Sequence, residues 1–327
     1  MPGVPFSVLQ GAKDEGALNF YSLRIPASTG KLLSLFEKDF PFIKVTQYQN
    51  SSVPLYQRFL TEAEAHKVTA DVIQAGAPDL MSPLVKDGYI ANYTISSAAA
   101  YKLSENEVDP GYWYPFGLST RMVVLYNPKT ISTAEANKLA NYKDLWSGML
   151  QGHQLTVPDA TIDATGQILY YYIQKTYGNA GLQKLAAVKP LIETSTSAAQ
   201  SLVSGATQVA LVSESIAAQT IQGGAPVQWV AMKPSLVEAW PQAIANDAPH
   251  PDAARLFQEF TFSAAAQSIY QETGLPSLRT GITAVPNYAT QPWFSAYDKR
   301  VSYNLDINDL DAKTSEVIAA FKNYFLG

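Results

Sequence analysis

The sequence contains no cysteine and only three histidines among its 327 residues. Without cysteine there can be no disulfide bridge, no thiolate nucleophile and no zinc-thiolate site. The three histidines, His66, His153 and His250, are far apart in the sequence. We therefore expect no histidine-rich metal site, and no cofactor is predicted.

Charged residues are also scarce, since only 16% of the chain is Asp, Glu, Lys or Arg and the net charge is -5. No run rich in Lys and Arg occurs, and a phosphate backbone requires such a basic stripe. Nucleic acid is therefore not expected as a partner. The hydrophobic content of 47% indicates a globular protein instead.

Long apolar segments are missing as well, because no apolar run reaches the roughly 18 residues of a membrane span. The N-terminus has no basic segment followed by an apolar core. We expect a soluble chain and, if it is exported, one whose signal peptide has been removed. Its length suggests two domains at about 150 residues per domain.

Short apolar runs alternate with helix-period segments, a pattern typical of βαβ units and largely parallel sheets. One series begins with ALNFYSL and a second with RMVVLYNP, and the later stretch PSLVEAWPQAIAN indicates a return to the first lobe. We predict an α/β fold of two lobes joined by crossover strands, with a ligand cleft between them. The predicted first lobe contains residues 17–118 and 233–290, and the second contains residues 119–232 and 291–327.

Polar turns in the second lobe form the first half of a candidate site, because ligands of such sheets bind beyond the carboxyl ends of strands. The turn DATGQ follows a strand and opens a helix, whose free N–H groups can hold an oxyanion. Alternatively, Thr165 or Asp163 only caps that helix. The candidate residues of this lobe are Thr165, Gly166, Gln167, Ser195, Thr196, Ser213 and Glu214.

The first lobe offers a cation. Arg24 follows the first predicted strand, and its planar guanidinium suits a carboxylate or phosphate, although a surface arginine in a loop is the competing interpretation. The remaining candidates lie after the strands of this lobe or at the crossover between lobes: Ser22, Ser52, Ala75 and Ser119.

Three adjacent tyrosines, Tyr170, Tyr171 and Tyr172, invite comparison with a ferric site, because phenolate oxygens suit Fe(III). Successive residues of a helix point about 100° apart, so the three side chains cannot all reach one metal. Tyr172 belongs to an apolar stripe, which leaves Tyr170 and Tyr171 partly exposed. A ferric site formed by Tyr170, Tyr171 and Glu214 remains the alternative hypothesis.

Motifs of enzymes are missing, since the sequence has no G-x-S-x-G, no H-E-x-x-H and no G-x-x-x-x-G-K-[ST]. No motif places a histidine near a serine. We therefore expect a binding protein and no catalytic residues.

Several segments occur in a suggestive order and spacing: NFYSLR, TADVIQAG, FGLSTRMVVLYNPKTI, VPDATIDATGQ, SAAQSLVSGATQVALVSES and ETGLPSLRTGI. Between about residue 17 and about residue 285 the chain resembles the extracellular solute-binding proteins of bacterial ABC importers, in the branch that contains the ferric-ion-binding proteins. The resemblance implies a two-lobed periplasmic-binding-protein fold of type II, two crossover strands as hinge, and a periplasmic location.

The chain departs from that branch at the iron ligands. Its ferric members have a histidine where this chain has Ser22-Leu23-Arg24-Ile25, a carboxylate where it has Ala75-Gly76, and tandem tyrosines where it has Ser213-Glu214-Ser215-Ile216. The anion-holding turns of the family, in contrast, match Thr165-Gly166 and Ser195-Thr196. The resemblance implies that the metal half of the site is missing and the anion half is kept.

These observations together predict a monomeric substrate-binding protein that captures a small anionic solute, such as a carboxylate, phosphonate or phosphate ester. Arg24 would supply the charge, and the serine and threonine hydroxyls would supply hydrogen bonds. Hinge closure would complete capture, and ABC permease subunits at the membrane would receive the solute.

Overall fold

The computed structural model describes residues 3–101, 109, 111–119, 122–150, 154–295, 302–303 and 305–327, without the side chains at 26, 118, 119, 149, 238, 302 and 307. The chain divides into two compact units. Unit 1 comprises Met1–Leu118 and Glu238–Val285, and unit 2 comprises Ser119–Val237 and Pro286–Gly327. None of the helices in the described ranges combines the length and apolar character needed to span a membrane.

Unit 1 is an α/β unit, with elements numbered along the whole chain. Its strands are β1 (Ala17–Leu23), β2 (Lys44–Asn50), β3 (Val72–Gln74), β4 (Trp113–Ser119) and β11 (Glu238–Ile244). Its helices are α1 (Phe6–Glu15), α2 (Pro26–Asp39), α3 (Ser52–Glu64), α4 (Pro78–Lys86), α9 (Pro251–Thr261) and α10 (Ala264–Glu272), with a short 3-10 helix at Ala98–Ala100.

Unit 2 is also an α/β unit. Its strands are β5 (Met122–Tyr126), β6 (Leu155–Pro158), β7 (Leu191–Glu193), β8 (Val209–Ser213), β9 (Gln228–Ala231), β10 (Ser235–Leu236) and β12 (Ser302–Tyr303). Its helices are α5 (Thr133–Ala136), α6 (Ala164–Ala187), α7 (Ser195–Ser204), α8 (Glu214–Gln222) and α11 (Ile307–Phe321), with 3-10 turns at Asn137–Leu139, Tyr142–Trp146 and Gly148–Leu150 and a terminal π-helical turn at Lys322–Leu326.

Each unit contains a five-stranded mixed sheet, with the order β2-β1-β3-β11-β4 in unit 1 and β7-β6-β8-β5-β9 in unit 2. Three adjacent strands of each sheet pair in parallel, as the βαβ pattern predicted. However, β11 runs antiparallel to β3, and β5 runs antiparallel to β8 and β9. Both exceptions directly follow a passage of the chain from one unit to the other, so neither strand is entered through a βαβ crossover.

Two helical features come from glycines with positive φ. The helix α1, which the sequence analysis did not identify, ends at Gly16 (φ 66°), whose N–H donates to the carbonyl of Ala12. Gly178 (φ 64°, ψ -173°) interrupts α6, so this helix consists of two segments separated by a break. A left-handed φ is accessible to glycine at little steric cost, which explains both positions.

The tyrosine cluster is buried, which corrects the prediction that Tyr170 and Tyr171 are partly exposed. All three tyrosines are at most 5% exposed. The aromatic ring of Tyr170 packs against Phe321 and Phe325, with centroid distances of 4.7 and 5.0 Å. The C-terminal helix therefore covers the face of α6 that the local sequence pattern left open, and it contributes to the core of unit 2.

A buried carboxylate anchors unit 1. Asp71 is 0% exposed and accepts hydrogen bonds from the backbone N–H of Asn19 at 2.6 Å, the backbone N–H of His250 at 2.6 Å and Nδ1 of His250 at 2.9 Å. It thereby joins β1, the start of β3 and the residue before α9. A buried charge is tolerated when it is fully hydrogen-bonded.

We predict that Asp71→Ala lowers the free energy of unfolding by about 3–5 kcal/mol, because buried donors lose their charged partner. Asp87→Ala is the matched control, since Asp87 is exposed and surface substitutions change stability by about 0.5 kcal/mol or less. Urea unfolding followed by tryptophan fluorescence measures both. Equal stability of the two variants would contradict the anchoring role of Asp71.

Candidate functional site

Three polar turns of unit 2 lie at one edge of its sheet. The strand β6 lies between β7 and β8 and is parallel to both, so the turns that follow these three strands share the carboxyl edge. The helices α6, α7 and α8 begin directly after those turns. This edge therefore collects three helix N-termini, each with backbone N–H groups that require acceptors.

The carboxylate of Asp163 connects two of these helix N-termini. Its Oδ1 accepts from the backbone N–H of Thr165 at 2.9 Å, which caps α6. Its Oδ2 accepts from the backbone N–H of Ser195 at 3.1 Å and from the hydroxyl of Ser195 at 2.8 Å. Three of the donors that the sequence analysis assigned to a solute anion are thus engaged by a side chain of the protein itself.

Gly166 and Gln167 pack against the turn that precedes α6. A Cβ atom on Gly166 would lie 2.8 Å from the backbone nitrogen of Ala160 and 2.9 Å from the carbonyl carbon of Asp159. Gln167 is 2% exposed, and its Nε2 donates to the carbonyl of Ala160 at 3.1 Å. Both residues hold α6 close to the Asp159–Asp163 turn. The Gly-Gln pair of the DATGQ sequence therefore serves the close packing of helix and turn.

The other candidates in unit 2 lie at the starts of α7 and α8. Thr196 is half-buried in the first turn of α7. Ser213 is buried, and its hydroxyl shares a hydrogen bond of 2.9 Å with the hydroxyl of Ser215. Glu214 is 4% exposed and begins α8. The structure therefore brings Ser195, Thr196, Ser213 and Glu214 to the same sheet edge as the Asp163 turn.

The carboxyl edge of the sheet in unit 1 holds the candidate cation. The strand β1 is parallel to both β2 and β3, so these strands end at one edge. Arg24 follows β1 directly and is exposed, one residue before the N-cap of α2. An exposed guanidinium at this edge can meet a carboxylate or phosphate through two parallel hydrogen bonds.

The remaining candidates of unit 1 differ in accessibility. Ser22 is fully buried, and its hydroxyl accepts a hydrogen bond from Nε2 of Gln47 at 2.8 Å. Ala75 is also buried, and its N–H donates to the carbonyl of Pro241 at 2.9 Å. Ser52 is half-buried as the first residue of α3. The side chain of Ser119 lies outside the described part of the chain.

A chain of buried glutamines lies at the end of β1, and sequence reasoning missed it. Oε1 of Gln74 accepts from the N–H of Leu23 at 3.2 Å, and its Nε2 donates to Oε1 of Gln242 at 3.0 Å. Nε2 of Gln242 donates in turn to Oε1 of Gln258 at 3.0 Å. The sequence signal for this chain was one glutamine in each of two short apolar strands, because a buried amide group needs a hydrogen-bond partner.

The tyrosines do not favour the alternative ferric site. The hydroxyl of Tyr170 donates to the carbonyl of Pro158 at 3.0 Å, and the hydroxyl of Tyr171 donates to Oδ2 of Asp309 at 2.5 Å. Burial raises the pKa of Tyr170 well above its usual value, and burial together with the bond to Asp309 raises the pKa of Tyr171 to about 12. Both shifts oppose the phenolate form that binds Fe(III). Among the described residues, no group of three or more His, Cys, Asp or Glu side chains is placed to hold a metal ion.

We predict that Gly166→Ala destabilises the protein by about 1–3 kcal/mol, because the added methyl group meets backbone atoms that cannot move aside. Gly30→Ala is the matched control, since a Cβ at that helical position meets nothing within 4 Å. There the change should stabilise by roughly 0.5–1 kcal/mol. Thermal unfolding of both variants provides the measurement, and a Gly166→Ala protein as stable as Gly30→Ala would contradict the close approach.

Comparison with solved structures finds many chains of similar fold, and three examples are of similar size to this chain. A ferric binding protein from Campylobacter jejuni matches with a TM-score of 0.73 and 16% identity, covering 94% of this chain and 99% of the other. Iron-bound HitA from Pseudomonas aeruginosa matches with a TM-score of 0.75 and 20% identity, covering 94% and 99%. The periplasmic binding protein AfuA from Actinobacillus pleuropneumoniae, solved with fructose-6-phosphate, matches with a TM-score of 0.77 and 16% identity, covering 95% and 98%.

These likenesses confirm the predicted two-lobed α/β fold of the type II periplasmic binding proteins. No curated protein matches the chain by sequence. The family model for the bacterial extracellular solute-binding protein matches residues 21–268, which is more than half of the chain. This match shows that the chain belongs to the family of bacterial extracellular solute-binding proteins.

Proposed function

We propose that this protein captures a small anionic solute, a carboxylate, phosphonate or phosphate ester, and delivers it to the permease of an ABC importer. The observation that carries the proposal is the exposed guanidinium of Arg24 directly after β1, at the carboxyl edge of unit 1. Open α/β sheets bind ligands at that edge. The protein is a periplasmic binding component and not an enzyme, and it acts as a monomer.

The polar groups around Arg24 suit the recognition of an anion. The helices α2 and α3 both begin just beyond the ends of β1 and β2, and helix N-termini carry a partial positive charge. Ser52, at the first position of α3, adds a hydroxyl. Together with the guanidinium, these groups stabilise a carboxylate or phosphate better than a neutral or cationic group.

Capture by hinge closure is part of the proposal. A ligand that moves an equilibrium from 1:99 to 99:1 must favour one state by about 5.5 kcal/mol. A hydrogen bond to a charged group contributes about 1.5–3 kcal/mol. Two to four such bonds formed only in the closed state are therefore enough.

We predict that Arg24→Ala weakens the binding of an anionic solute by tenfold or more, because a charge-assisted hydrogen bond of at least about 1.5 kcal/mol is lost. A thermal-shift screen of small carboxylates, phosphonates, sugar phosphates and Fe(III) first selects the solute. A solute present at a hundred times its dissociation constant stabilises the folded state by about 2.7 kcal/mol. Calorimetry then compares the wild type with the variant.

Lys31→Ala is the matched control, because Lys31 is an exposed cation on α2 and its loss changes the net charge equally. Its affinity should stay within about twofold of the wild type, since exposed charges are screened by salt. Unchanged affinity of Arg24→Ala removes Arg24 from the site. Stabilisation by Fe(III) alone, with visible tyrosinate absorption, supports the ferric alternative instead.

A further inference from the structure

The carboxyl end of β1 extends beyond the part of the strand that pairs with β3. The register between these two strands ends at the pair Tyr21 and Ile73, whereas β1 itself continues to Leu23. The N–H of Ala75, directly after β3, donates to the carbonyl of Pro241 on β11 at 2.9 Å. The last two residues of β1 are therefore not paired with β3, although β3 lies beside β1 in the sheet.

The side chain of Gln74 takes the place of the missing backbone partner. Its Oε1 accepts from the N–H of Leu23 at 3.2 Å, and a buried N–H of this kind requires an acceptor. On the other side, Leu23 pairs with Asn50 of β2, which is the edge strand of the sheet. The amide of Gln74 therefore anchors the end of β1 to the interior of unit 1.

The orientation of the Gln74 amide is fixed by the glutamine chain behind it. Donation runs in one direction, from Gln74 to Gln242 and from Gln242 to Gln258. The chain ends where Nε2 of Gln258 donates to the backbone carbonyl of Gln242 at 3.1 Å. All three glutamines are at most 1% exposed. Turning one amide over would set two donors or two acceptors against each other, so the buried network holds a single arrangement.

We infer that Gln74 is a positioning residue for anion recognition, because it fixes the point at which Arg24 leaves the sheet. Arg24 directly follows Leu23, and its side chain is exposed, so the backbone decides where the guanidinium can reach. Two parallel hydrogen bonds from a guanidinium to an anion require a defined geometry. This inference rests on the proposed function, in which Arg24 contacts the anion of the solute.

The test replaces the amide of Gln74 with an apolar side chain of similar length. Calorimetry measures the binding of succinate, methylphosphonate and fructose 6-phosphate to the wild-type protein, and the tightest of these three probes is used for every variant. We expect Gln74→Met to weaken its binding by about fivefold or more, because residues joined in one hydrogen-bond network are energetically coupled.

Gln267→Met is the matched control, because it removes an amide that is also 0% exposed in unit 1. That amide donates to the carbonyls of Phe116 and Thr261 and makes no hydrogen bond to β1. Its loss should destabilise the fold and leave the affinity for the probe within about twofold of the wild type, as expected of sites that share no partner.

A double-mutant cycle separates positioning from a general loosening of unit 1. In the Arg24→Ala background, Gln74→Met should change the affinity by less than about twofold, because no guanidinium remains to be misplaced. A purely structural role of Gln74 would instead weaken binding equally in both backgrounds.

Amide hydrogen exchange of the wild-type protein tests the anchor even where Gln74→Met does not fold. The N–H of Leu23 should exchange as slowly as that of Tyr21, because its acceptor is buried and exchange requires opening of this part of the core. Rapid exchange at Leu23 would show that the end of β1 is not held, and it overturns the inference.

The outcomes separate this inference from the proposed function. A folded Gln74→Met protein with wild-type affinity overturns the inference alone, and so does an equal loss of affinity in Gln267→Met or in both backgrounds of the cycle. Unchanged affinity of Arg24→Ala removes Arg24 from the site and the inference with it. Binding of none of the three probes contradicts both the proposed function and the positioning role of Gln74.

Discussion

The bridge that Asp163 makes between α6 and α7 is the interaction on which the polar edge of unit 2 depends. One carboxylate satisfies the N–H of Thr165 and both donors of Ser195, so two helix N-termini are held together by a charge that belongs to the protein. Helix N-termini attract anions because of their free N–H groups and their partial positive charge. Since that attraction is already satisfied internally, the edge becomes acidic in character although its helix geometry is that of an anion site.

Unit 1 uses buried polar groups for a different purpose. Asp71 joins β1 to the residue before α9, and the glutamine chain from Gln74 through Gln242 to Gln258 joins β3, β11 and α9. Fully paired networks of this kind stiffen a core. The edge that carries Arg24 therefore rests on rigid elements, which is the condition for holding a charged ligand in one geometry.

The fold class and the approximate positions of the strands followed from local patterns, because hydrophobic period and turn residues are readable within a few residues. The Arg24 position and the three polar turns were found for the same reason. The environment of the three tyrosines could not be predicted from local sequence patterns. Tyr170 and Tyr171 were assigned to a partly exposed face of α6, yet Phe321, Phe325 and Asp309 from the distant C-terminus cover that face.

By itself the sequence determined the alternation of strands and helices and the location of the polar turns. Only the tertiary structure decided which donors of those turns remain available. Asp163 and Ser195 are separated by 32 residues in the chain, and whether one caps the other depends on β6 and β7 lying side by side in the sheet. Hydrogen-bond partners across neighbouring strands are set by packing, which no local pattern specifies.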